Sequence, residues 1–89
     1  MAALDLLGRR WALRVLWELR AGALTFRALR ERCDGMSPSV LNQRLAELRD
    51  TGLIALDGVS GYRLTALGVE LLRALAPLDA WARHWADRA

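Results

Sequence analysis

The stretch that most constrains the fold runs from Thr25 to Gly52, TFRALRERC-DGM-SPSVLNQRLAELRDTG. Thr25 is placed to cap a short helix, because its hydroxyl can accept from an amide of the first turn. Phe26, Leu29 and Cys33 then fall at i, i+3 and i+7 and face inward, while Arg27, Arg30, Glu31 and Arg32 face out. DGM is a turn signal. Ser37 followed by Pro38 starts a second helix, since a proline at the first helical position gives up an N–H that has no partner there anyway. Leu41, Leu45 and Leu48 mark its buried face, and Gly52 closes it. Two helices joined by a short turn form a helix-turn-helix. LIAL and YRLT follow, joined by DGVSG, and read as a small hairpin. A hairpin directly after the second helix makes the unit a winged helix-turn-helix. The expected architecture is mainly α with a small β-hairpin wing, in one domain over residues 1–89.

The flanks supply the rest. Residues 3–8 read as a short helix interrupted by Gly8, and a second helix runs from about Arg10 to Arg20 before Gly22 ends it. Trp11, Leu13, Val15, Leu16, Trp17 and Leu19 point in nearly every direction around that helix, so it belongs in the middle of a core. Only Arg14 and Glu18, four apart and able to pair, mark a wet stripe. Thr65 caps the last helix, where Leu67, Leu71, Leu75, Leu78, Ala82 and Trp85 step by 4, 4, 3, 4 and 3. That spacing is a seam for another helix. Pro77 falls inside it and is expected to kink or break the helix near Leu75–Ala76.

Composition narrows the function. A hydrophobic share of 54% rules out a disordered chain, yet no apolar run approaches the ~20 residues of a membrane span. The N-terminus has no basic region ahead of its apolar stretch and so is not read as a secretory signal. A cytoplasmic protein is expected. One cysteine excludes an internal disulfide or a cysteine-built zinc site. There is no Gly-rich phosphate loop, no nucleophile with a base, and no paired carboxylates, so neither an enzyme nor a cofactor is expected. His84, the single histidine, reads as solvated or packed. Cys33 reads as a buried structural thiol rather than a sensor, although Arg30 and Arg32 flank it. The four tryptophans, Trp11, Trp17, Trp81 and Trp85, read as core or interface before effector pocket. The net charge is +3, and all thirteen basic residues are arginine, whose planar fork suits phosphate and guanine edges.

The second helix of the motif carries the functional question. With Leu41 at the centre of the buried face, Ser39, Gln43, Ala46 and Asp50 lie opposite, with Asn42 and Glu47 flanking. The outward residues are small or amide-bearing in the first half and acidic in the second. That gradient suits a helix whose N-terminal half meets base edges in the major groove. Asn and Gln can pair in bidentate fashion with adenine, and the helix N-terminus favours a phosphate. Arg44, near the edge of the buried face, reaches a phosphate or braces the preceding helix. Against this stands a bland alternative, in which the serines only cap the helix and the amides are only solvated.

ALDLLGRRW (3–11), TFRALRERCDGMSPSVLNQRLAELRDTGLI (25–54), YRLTALGVELL (62–72) and Trp81 together resemble the HxlR-type transcriptional regulators, a winged-helix family near the MarR group. The resemblance implies a homodimeric regulator of duplex DNA, often a repressor, paired through its first and last helices. Leu4, Leu7, Leu71, Leu75, Leu78, Trp81 and Trp85 would then form the interface. It assigns base reading to Ser37, Ser39, Asn42 and Gln43 and phosphate contacts to Thr25, Arg27 and Arg44. Arg63, on the wing, would lie near the minor groove or backbone. Two departures stand out. The family usually carries a cysteine just before the first helix, where this chain begins Met1-Ala2-Ala3, so redox sensing of that kind is not expected. DGVSG also replaces a longer wing loop. The main rival is a winged helix that has lost DNA binding and meets a protein. A contiguous positive face over Arg27, Arg44 and Arg63 would argue against that rival. A third reading adds a small-molecule effector bound between the tryptophan-bearing helices and the DNA-binding unit.

Overall fold

The computed structural model describes residues 2–34 and 36–88. The chain forms α1 (Ala2–Leu7), α2 (Ala12–Glu18), α3 (Phe26–Arg32), α4 (Pro38–Asp50), β1 (Ile54–Asp57), β2 (Gly61–Leu64) and α5 (Ala66–Asp87). Gly35 of the DGM turn lies outside the described residues, but the turn is closed by the Met36 amide donating to the Cys33 carbonyl at 3.0 Å.

The helix starts follow local chemistry. The hydroxyls of Thr25, Ser37 and Thr65 accept from the amides of Ala28, Val40 and Gly68. Each satisfies a donor that the first turn leaves without an intrahelical partner. At the end of α4, Gly52 takes φ 80°. The Leu53 amide then donates to the Leu48 carbonyl and that of Gly52 to the Arg49 carbonyl, both at 3.0 Å. This is the paired-bond ending that glycine favours.

β1 and β2 pair antiparallel, Ile54 with Leu64 and Ala55 with Arg63. A third strand position was not foreseen. Leu24 and Tyr62 exchange both backbone bonds, at 2.9 and 2.8 Å. Gly61 makes room, since a Cβ there would stand 2.4 Å from the Leu24 carbonyl oxygen.

The core sits among α2, α3, α4 and the start of β1. Leu16, Leu29, Cys33, Leu41, Leu45 and Leu48 are sealed in it. The first turn of α5 docks through Gly68, where a Cβ would lie 2.2 Å from the Leu53 carbonyl oxygen.

Four expectations need correction. First, α2 begins at Ala12 rather than Arg10, because Trp11 adopts the left-handed conformation, φ 77°. Second, α2 ends at Glu18, ahead of Gly22, and it is not sealed all round: Leu13 and Trp17 are exposed. Third, α5 runs unbroken through Pro77. Proline cannot donate to the Arg73 carbonyl, but both residues are exposed, so water can take the freed acceptor. Fourth, of the core-or-interface reading for the tryptophans, the core half holds for Trp11 alone; Trp17, Trp81 and Trp85 are exposed in the single chain, so only the interface half applies to them. The last two stack, with centroids 5.9 Å apart and planes 5° apart.

Within the seam, Leu71 and Leu75 are half-buried, whereas Leu67, Leu78 and Trp85 are exposed. No helix among the described residues is long and apolar enough to cross a membrane.

Candidate nucleic-acid interface

α4 presents its outward face as the leucine spacing requires. Ser37, Ser39, Asn42 and Gln43 are all exposed on its first half. Ser37 is partly committed, because its hydroxyl caps the helix and lies 3.4 Å from that of Ser39. The amides of Asn42 and Gln43 stand open to solvent. Each offers one acceptor and two donors, enough for a bidentate contact with a base edge.

Arg44 is elsewhere. Its side chain is 12% exposed. Its Nε donates to the Arg10 carbonyl at 2.8 Å, and its Nη1 lies 2.8 Å from both carboxylate oxygens of Glu47. Arg44 therefore braces the turn ahead of α2 rather than α3. Glu47 is likewise drawn in from the face, half-buried between Arg44 and Arg9. A contiguous positive face over Arg27, Arg44 and Arg63, which would have argued against the protein-interaction rival, is thus interrupted at its middle member.

The remaining cations frame α4 from two sides. Arg27, on α3, pairs with Glu31 at 3.6 Å, but the two side chains are 91% and 71% exposed. Such a pair is worth at most about 1 kcal/mol, so Arg27 can swing to a stronger partner. Arg30 turns back, with Nε 3.5 Å from the Met36 carbonyl, and steadies the turn. Thr25 Oγ1 accepts its cap bond from the Ala28 amide, and its O–H can still donate outward. A groove of about 480 Å³ separates α3 from the start of α4, lined by Arg27, Arg30, Ser37 and Pro38.

On the other side stands the wing. Ala55 and Arg63 are cross-strand partners, so their side chains share one face of the ribbon. Ala55 lines a groove of about 520 Å³ with Ala46 and Arg49 of α4. Arg63 is exposed beside it. Arg49 was missed in the sequence, although the signal was present. It lies seven residues after Asn42, two turns along the same stripe, and is exposed. The wing tip is a short turn in which Asp57 Oδ1 accepts from the Val59 amide, leaving Val59 92% exposed.

Cys33 does not join this surface. It is fully buried, and burial raises its thiol above its ordinary value of 9.0. The Arg14 charge opposes that shift, and Glu18 and Asp34 add to it. A protonated buried thiol is a poor nucleophile. Among the described residues no cluster of His, Cys, Asp and Glu could hold a metal ion.

The chain is similar to known proteins over nearly its whole length. The HxlR-like helix-turn-helix family profile matches residues 6–89. An uncharacterised HTH-type transcriptional regulator of Methanocaldococcus jannaschii, MJ0925, is 31% identical over 98% of this chain and 85% of its own length. Another from Bacillus subtilis, YvaP, is 30% identical over 96% and 84%. The crystal structure of quinone-bound YodB from B. subtilis superposes with a TM-score of 0.86 at 29% identity, covering 93% of this chain and 92% of that one.

Proposed function

The chain belongs to the HxlR-like helix-turn-helix family, and from that premise we propose that it regulates transcription by binding duplex DNA sequence-specifically as a homodimer, in the manner of a repressor. The observation that carries the reading is the split along α4: uncharged, open Ser39, Asn42 and Gln43 in its first half, and a charged pair, Arg44 and Glu47, folded back onto the protein in its second. The first half of α4 enters the major groove, with Ser37, Ser39, Asn42 and Gln43 toward base edges and the free amides of the helix start toward a phosphate. Arg27 and Thr25 flank it on the α3 side, and Arg49 and Arg63 on the wing side.

The homodimer rests on apolar surface. α1 and α5 bound a groove of about 490 Å³ lined by Leu6, Leu7, Leu67 and Leu71. A second groove, of about 390 Å³, runs between α2 and α5 past Leu13, Trp17, Leu75 and Leu78. With Leu4, Trp81 and Trp85 also exposed, a partner's α1 and α5 would cover what one chain leaves open. Two-fold symmetry then asks for a near-palindromic operator with half-sites about 34 Å, or a multiple, apart. A small-molecule effector is a second element of the reading. The YodB neighbour is quinone-bound, and such a ligand would sit between the tryptophan-bearing helices and the DNA-binding unit.

The test is selection from a random duplex pool at two salt concentrations. A palindrome that weakens steeply with salt and disappears from the pool bound by the Asn42→Ala, Gln43→Ala double variant supports the reading. Salt-sensitive binding with no enriched sequence removes specific regulation. No binding at low salt favours the protein-interaction alternative.

A further inference from the structure

The connection between α1 and α2 is only Gly8–Trp11, and it is held from outside by α4. Arg44 donates Nε to the Arg10 carbonyl at 2.8 Å and grips both oxygens of Glu47 through Nη1, while Arg9 Nε stands 3.8 Å from Glu47 Oε2. The carbonyl that Arg44 holds belongs to the peptide entering Trp11, whose φ of 77° is unusual for a bulky side chain. Such a conformation persists only where its surroundings fix it. Here they do so on both sides. The Trp11 ring packs on the core, and the guanidinium fixes the peptide before it. The same turn is stitched to both helices, through Arg9 N to Leu6 O at 3.2 Å and Ala12 N to Arg9 O at 3.1 Å.

We infer that Arg44 and Glu47 are positioning residues: they clasp the Arg9–Trp11 turn to α4 and so set the DNA-reading face of α4 relative to α1. The inference rests on the reading of α4 as the recognition helix. It replaces the phosphate contact that the family resemblance assigned to Arg44. With Nε and Nη1 both committed at 2.8 Å, a phosphate could engage them only by displacing a carbonyl or a carboxylate. The clasp also ties the helix proposed for the dimer interface to the helix proposed for DNA, so a shift of α1 is felt at Asn42 and Gln43.

The two charges make the inference testable, because electrostatics and positioning predict opposite signs for Glu47. The full chain is compared with Arg44→Gln, Glu47→Gln and the double variant, using the selected operator, a random duplex and a salt series. Amide exchange over residues 9–12 is followed in the free proteins. As a positioning pair, each single variant weakens operator binding about tenfold, the size of one charge-assisted hydrogen bond. Random-duplex affinity and the salt slope stay unchanged, the double variant is no worse than the weaker single, and exchange over 9–12 quickens about tenfold. Arg44→Gln lowering the salt slope by about one unit, with Glu47→Gln tightening DNA, would overturn the inference and restore a phosphate contact. Should Arg44→Gln fail to fold, Glu47→Gln alone carries the sign. If the wild-type chain selects no operator, the functional reading fails separately, and the exchange data decide the clasp: quickened exchange in Glu47→Gln upholds it, unchanged exchange refutes it.

Discussion

α4 and α5 are both long helices, but they are built for different neighbours. α4 has 13 residues and seals Leu41, Leu45 and Leu48 inside the chain. α5 has 22 and fully buries only Gly68, leaving Leu67, Leu78, Trp81 and Trp85 in solvent. The same apolar periodicity therefore serves two purposes. In α4 it completes this chain's own core; in the outer part of α5 it is unsatisfied. A small domain gains most of its stability from the fraction of surface it can bury. This chain thus keeps its stability in the helix-turn-helix and leaves its longest helix partly unused.

The sharpest way to break that contrast is Leu45→Ala. Removing a fully buried leucine should cost about 2–5 kcal/mol, a large share of the roughly 4–13 kcal/mol that a domain of this size holds, read as a lower midpoint in a urea titration. Gly68→Ala tests how α5 is attached. A methyl group placed 2.2 Å from the Leu53 carbonyl must push the helix off, and a loss of about 1–3 kcal/mol is expected in the same titration. Ser37→Ala removes the cap of α4 and should cost about 1 kcal/mol, with Ser37→Asn restoring most of it. On the outer half of α5 the fold itself should barely respond. Leu78→Ser with Trp81→Ser is expected to change single-chain stability by no more than about 0.5 kcal/mol. If the proposed homodimer forms, the melting temperature of the unmodified chain should depend on protein concentration and that of this variant should not, as followed by dilution series and sedimentation. A large loss in the single chain would mean that the two regions are not as distinct as their burial suggests.

The smallest effect concerns Cys33. Its folded-state thiol titrates above 9.0, mainly because of burial, whereas in the unfolded chain it titrates near the ordinary value. Below about pH 8 both states are protonated and the group contributes no pH dependence. As the pH rises past about 9 the unfolded chain sheds the proton first, so stability should fall, levelling only above the raised folded value. Denaturation at pH 8 and pH 10 should show a drop that Cys33→Ala reduces; equal slopes would mean that the thiol is not so well buried.

What the sequence disclosed was local. Thr25, Ser37-Pro38, Gly52 and Thr65 each act on backbone within a few residues, so their types and positions were enough to place four helix boundaries. The leucine spacing of α4 likewise assigned its faces correctly. What stayed hidden depended on distant partners. The Arg10 carbonyl that occupies Arg44 is 34 residues away, and spacing on one helix cannot reveal it. Leu24 pairs with Tyr62 across the whole motif. Trp11 is left-handed because packing and Arg44 hold it there, against the preference of its own side chain. Pro77 departs from expectation for the opposite reason: the helix-breaking cost holds for buried helix interiors, whereas here the stretch is exposed and water can repair the missing bond. Arg49, by contrast, is legible in the sequence, because it lies on the exposed stripe that Asn42 marks.

The bridge between Leu24 and Tyr62 has an evolutionary consequence. Leu24 directly precedes the residue that caps α3, so the outer half of the wing, one pair short of the Asp57–Gly61 tip, is fastened to the entrance of the helix-turn-helix by two backbone bonds. Residues 58–60 lie beyond that fastening. Insertions there lengthen the ribbon past its anchor without altering the angle at which it leaves the body. A lineage could therefore trim or extend the wing, and with it the reach into neighbouring sequence, while the frame that presents α4 is inherited unchanged.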